Sequence, residues 1–129
     1  MPAYDANLFD PPAPMARVIL RNPGNAVTVA DVPMLLDSGA DVTLIPAKLA
    51  NQIGLTADAD TIYELTGFDG STTLASVVQL EMRFLNKTFR GRFLLIDQDW
   101  GVLGRDILNL ISLLLDGPNL NWKEQRSNP

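Results

Sequence analysis

The chain has 129 residues, 47% of them hydrophobic and 19% charged, which suits one globular domain and excludes a disordered one. It contains no cysteine and no histidine, so disulfides, thiolate nucleophiles, Ser-His-Asp triads and Cys- or His-liganded metal sites cannot be built from it. Acid–base chemistry is left to the carboxylates, and the net charge of −5 weighs against nucleic acid as a partner.

In chain order, residues 1–16 are rich in Pro and Ala and are expected to form a loose N-terminal arm. The arm lacks a basic head followed by an apolar core, so it does not resemble a secretory signal, and a cytoplasmic protein is expected. Residues 17–21 (RVILR) and 26–29 (AVTV) read as short strands around the turn Asn22-Pro23-Gly24-Asn25. Residues 32–37 (VPMLLD) form a further strand, residues 37–41 a polar turn, and residues 42–45 (VTLI) resume the strand pattern. Pro46 is placed to open a helix with Leu49, Ala50 and Ile53 on one face and Gly54 as its stop.

Residues 61–66 and 71–80 flank Gly67-Phe68-Asp69-Gly70, the pattern of a β-hairpin with a favoured Asp-Gly turn. Strands over 77–84 and 88–96 come next, joined by Leu85-Asn86-Lys87. Residues 107–111 suit a short helix capped by Asp106, and residues 113–116 and 119–122 suit closing strands around Gly117-Pro118. The most apolar run, residues 107–115, is broken by Asn109 and Ser112 and is far short of the ~20 residues of a membrane helix. These spacings predict an all-β domain over residues 17–122, with a C-terminal tail over 123–129.

The sharpest feature is LLDSGADVTLIP, residues 35–46. Asp37 ends an apolar strand, where an isolated carboxylate is costly unless its charge is shared or solvated. Asp and Ser also cap helices and fill turns, so Asp37-Ser38-Gly39 alone is a weak signal. It gains weight from its setting between two apolar strands and from three further motifs on its C-terminal side. VPMLLDSGADVTLIP, the GFDG hairpin tip, VLGRD and the closing ILNLISLLLD resemble, in that order, the retropepsin-like aspartic proteases.

The resemblance implies a closed retropepsin-like β-barrel with one or two short helices, acting as an obligate homodimer. It makes Asp37 the catalytic residue, with Ser38 and Gly39 supporting the catalytic loop. Ala40 and Asp41 would line the substrate cleft, and Gly67, Phe68, Asp69 and Gly70 would form the flap over an extended peptide. Arg105 would fold back on Asp41 as a structural ion pair. Residues 113–122 would interleave with the partner's chain ends in an intersubunit sheet. No metal or other cofactor is required. A dyad needs two aspartates in equivalent settings, whereas the chain holds one Asp-Ser-Gly, so a second copy is expected to supply the other. A dimeric peptide-binding or assembly module that has lost cleavage, or pairing with a related chain, are the alternatives.

Asp58, Asp60 and Glu64 have only part of a calcium-loop spacing. Arg83, Lys87, Arg90 and Arg92 read as the solvated face of a hairpin.

Overall fold

The structure, a computed structural model, describes residues 2–56, 58–66 and 69–126. The first half runs β1 (Tyr4–Asp5), β2 (Ala13–Arg21), β3 (Thr28–Leu36), β4 (Leu44–Pro46) and α1 (Ala47–Gln52). The second half runs β5 (Asp58–Thr66), β6 (Thr72–Phe84), β7 (Lys87–Ile96), β8 (Gly101–Leu103), α2 (Arg105–Leu108), β9 (Leu113–Asp116) and β10 (Asn121–Glu124). The class is all-β, as the sequence predicts.

Eight strands form one sheet in the order β1-β2-β3-β8-β4-β7-β6-β5. β2 also pairs with β6 through Ile19–Arg83, Leu20–Met82 and Arg21–Glu81, so the pairing runs in a ring from β2 back to β2. β3–β8 and β4–β7 are parallel; the other pairings are antiparallel. Alternation along β2 sends Val18 and Leu20 inward and Arg17 and Ile19 outward, as the pleat of a one-sided strand requires. Val18 and Leu20 meet Val32, Met34, Ile45, Val78, Leu80, Met82 and Leu103 in the core. Burying each such side chain contributes about 1.5–3 kcal/mol.

β3 is one strand where the sequence suggested two. Its pairing with β2 shifts register between Val18 and Leu20, and Asp31 takes a left-handed φ of 56°, so a β-bulge absorbs the extra residue. Likewise β6 is continuous across both expected strands: Thr72–Val77 pair with β5, and Val77–Phe84 pair with β7. The Asn22–Asn25 turn also closes α1, since Asn22 and Asn25 donate side-chain amides to the Ile53 carbonyl at 2.8 and 3.2 Å. Gly54 turns the chain there with φ +75°.

α2 begins earlier than expected, and Asp106 is not its cap. Gly104 holds that position, its carbonyl accepting from the Ile107 and Leu108 amides, while the Asp106 carboxylate is engaged with Thr43. β10 starts two residues later than expected, because Asp116 binds the backbone and side chain of Asn119 and lengthens the turn.

The N-terminal segment contributes strand pairings and core residues to the fold. β1 pairs with the start of β2, Phe9 packs edge-on to Trp100 at 5.0 Å, and Met15 and Ala16 belong to the core. Residues 2–4 lie along β10, through Trp122 N–H to the Pro2 carbonyl and Tyr4 N–H to the Leu120 carbonyl. Glu81 draws Arg21 and Arg90 to 3.0 and 3.2 Å, partly neutralising the basic hairpin face. No helix among the described residues is long and apolar enough to cross a membrane.

Candidate active site

Asp37 lies just past the last residue of β3 and is fastened to the neighbouring strand by its own backbone, with its N–H donating to the Leu103 carbonyl at 3.1 Å. The chain then turns. Asp37 Oδ1 accepts the Gly39 N–H at 2.9 Å, and the Asp37 carbonyl accepts the Ala40 N–H at 3.1 Å. A Cβ at Gly39 would come within 3.1 Å of Asp37 Oδ1, so glycine lets the backbone approach the carboxylate. Asp37 is half-buried, Ser38 and Gly39 are exposed, and Oδ2 makes no hydrogen bond among the described residues. One carboxylate oxygen is thus fixed by the loop and the other is left for a ligand or water.

The loop is clamped from the far end of the sequence by Arg105. Its N–H donates to the Ala40 carbonyl at 2.9 Å, Nη1 to the Ser38 carbonyl at 2.7 Å and Nη2 to Asp41 Oδ1 at 2.5 Å. Asp41 is 82% exposed, so the charge pairing itself is worth ~0–1 kcal/mol. The larger consequence is geometric, because the planar guanidinium fork reads two loop positions at once.

Thr43, which sequence reasoning did not single out, and Asp106, expected there only as a helix cap, hold this arrangement from behind. Thr43, 1% exposed, donates its hydroxyl to Asp106 Oδ1 at 2.7 Å and accepts the Gly104 N–H at 3.1 Å. The Thr43 and Ile107 amides also donate to the Asp106 carboxylate, at 3.1 and 2.9 Å. A Cβ on Gly104 would lie 2.5 Å from the Val42 carbonyl oxygen, so only glycine lets β8 pass that close. The available signal was a lone threonine inside VTLI, a polar residue in an otherwise apolar strand.

Of the segment expected to form the flap, Asp69 and Gly70 are described. Gly67 and Phe68 lie outside the described residues. Asp69 binds the Ser71 hydroxyl and N–H at 2.6 and 2.9 Å, and these bonds, the hydroxyl's first, hold its carboxyl below the usual range. Gly70 takes φ +82°, the left-handed conformation that turns the hairpin. Among the described residues Asp69 and Gly70 make no hydrogen bond to the Asp37 loop, and no group of carboxylates could hold a metal ion. A cleft of about 450 Å³ under the N-terminal segment is lined by Tyr4, Met15, Arg17 and Trp122 and does not include the Asp37 loop.

The surrounding ring of strands agrees with what the chain resembles. The protease of EIAV, solved with the inhibitor HBY-793, superposes with a TM-score of 0.56 at 21% identity, covering 75% of this chain and 86% of that one. At that identity the likeness establishes the retropepsin-like fold. No curated protein matches the chain. The sequence profile described as aspartyl protease matches residues 24–107, most of the chain and the whole span from the turn before β3 to Arg105 and α2. On that match, and with Asp37-Ser38-Gly39 and Arg105 both inside it, the chain belongs to the aspartyl protease family.

Proposed function

We propose that the protein is an aspartic endopeptidase that works as a homodimer, with Asp37 of each copy forming one catalytic pair. The observation that carries this reading is Asp37 itself, a half-buried carboxylate in the chain's single Asp-Ser-Gly, with one oxygen fixed by the Gly39 N–H and the other making no hydrogen bond among the described residues. Two carboxylates face to face cannot both ionise easily, so they share one proton, the established situation in aspartic proteases. The ionised member takes a proton from a bound water as its oxygen attacks the scissile carbonyl carbon, while the protonated member donates to the carbonyl oxygen. Collapse of the tetrahedral diol delivers a proton to the amide nitrogen, breaks the C–N bond and returns the pair to its shared-proton state. Ser38 would brace the paired loops across the two-fold, and residues 67–70 would close over an extended peptide held partly as an added strand.

Cleavage of a peptide library from about pH 3 to pH 8, with Asp37→Asn alongside, tests the proposal. Hydrolysis by the parent that disappears in the variant is the expected result. Equal activity in both would remove Asp37 from the chemistry, and binding without cleavage by either would favour a peptide-binding module.

A further inference from the structure

We propose that the two copies join through the free edges of their β9 strands, each keeping its own chain ends, rather than by exchanging termini. This inference rests on the homodimeric reading above and specifies how that dimer is assembled. β10 is the middle strand of the terminal region: one edge pairs with β9 from Asn121–Asp116 to Glu124–Leu113, and the other carries residues 2–4 through the Ala3–Asn121 bridge. The N-terminal segment therefore fills, within one chain, the place that an exchanged terminus would take. β9 pairs on one edge only among the described residues.

Along its three leucines that open edge carries no charge, proline or bulge, and its one charged residue is Asp116 at the end. Exposed edge strands are normally guarded by charge, proline or a bulge, because unpaired N–H and C=O groups recruit other strands. Residues 113–115 are three consecutive leucines. Of the eight large apolar side chains exposed among the described residues, Leu110, Leu114, Leu115 and Leu120 fall in this one segment, so the apolar surface is concentrated at β9. The location fits the catalytic requirement. Trp122, opposite Leu115, donates its indole N–H to the Met15 carbonyl at 2.9 Å; Met15 pairs with Leu35, two residues before Asp37. The hairpin is thus tied to the strand pair that carries Asp37, and the proposed two-fold axis runs through β9.

The symmetry fixes a distinctive prediction. A two-fold axis normal to an antiparallel pair of identical strands forces one residue to oppose its own copy, and for four-residue strands overlapping by at least three residues that residue is Leu114 or Leu115. Directly opposed Cα atoms lie about 4.5–5.5 Å apart, within the range a disulfide spans. Because the parent has no cysteine, each introduced pair reports alone. Leu114→Cys and Leu115→Cys are oxidised separately, and so is the double variant Ala3→Cys/Asn121→Cys; sedimentation records the state of each sample. We expect one of the two β9 variants to yield a covalent dimer on a non-reducing denaturing gel, and the double variant to close within one chain and run as a monomer. A covalent dimer from Ala3→Cys/Asn121→Cys would show exchanged ends and overturn the inference. So would a sample that sediments as a dimer while both β9 cysteines stay reduced, which leaves the homodimer itself standing. A strict monomer at high concentration overturns the homodimeric reading, and this inference with it.

Discussion

Among single residues, Thr43 supports the Asp37 loop from behind without being part of it. Its hydroxyl donates to Asp106 and accepts from Gly104, so it couples the strand leaving Asp37 to the turn that carries Arg105. At 1% exposure no water can replace either bond. Valine has nearly the same shape and removes the hydroxyl, leaving the Gly104 N–H unpaired and Asp106 with one donor fewer. An unsatisfied buried polar group costs about 1–3 kcal/mol, so Thr43→Val is expected to lower the unfolding free energy measured in urea by that amount. Thr43→Ser keeps both bonds and loses one methyl, and should fall between the valine variant and the parent. A Thr43→Val protein as stable as the parent would show that the hydroxyl is idle.

On the scale of elements, β3 delivers Asp37 to the surface only because it runs unbroken from Thr28 to Leu36. The bulge at Asp31 makes that possible, holding a residue with a side chain at φ 56°. The left-handed conformation costs an L-residue roughly 1–2 kcal/mol, least for Asp and Asn and most for β-branched residues. Asp31→Gly should leave thermal stability at or slightly above the parent's, and Asp31→Val should lower it by about 1–2 kcal/mol. Equal melting temperatures for the two variants would mean that the bulge has moved. The bulge also shows why the sequence resolves some elements better than others. Alternating residues such as Val18 and Leu20, and turn residues such as Asn22-Pro23-Gly24-Asn25, act within a few positions and are legible. A strand of two partners is less so: β6 answers to the Asp69-Gly70 turn at one end and the Leu85-Asn86 turn at the other, and each turn suggests its own strand. Asp37, Ser38, Gly39 and Arg105 were legible as a family pattern. Asp106 was legible within VLGRD and as a helix cap, but its bond to Thr43 was not, because the two residues meet across 63 positions of chain.

For the whole molecule, acidity acts on the same terminal region that the proposed dimer uses. Lys87, at the start of β7, donates to Glu124 of β10 at 2.6 Å, and Arg126 approaches the same carboxylate at 3.4 Å. The hydrogen bond from Lys87 first, then the charges of Lys87 and Arg126, hold the Glu124 carboxyl below the usual carboxylate range. Between the lowered folded pKa and the ordinary unfolded one, the unfolded chain binds more protons, so stability rises with pH across that window. The contribution of Glu124 is therefore fully present at neutral pH and is lost as pH falls through its folded pKa. Glutamine keeps an acceptor for Lys87 and removes the charge. Glu124→Gln should unfold at lower urea than the parent at pH 7, with the two midpoints converging as the solution is acidified past that pKa. Midpoints measured over a series of pH values decide the matter: a gap that stays constant into acid would assign the effect to packing or hydrogen bonding rather than to charge. A gap that closes means that the strand between β9 and the N-terminal segment loses its tie to β7 in acid, where a carboxylate pair sharing one proton would operate.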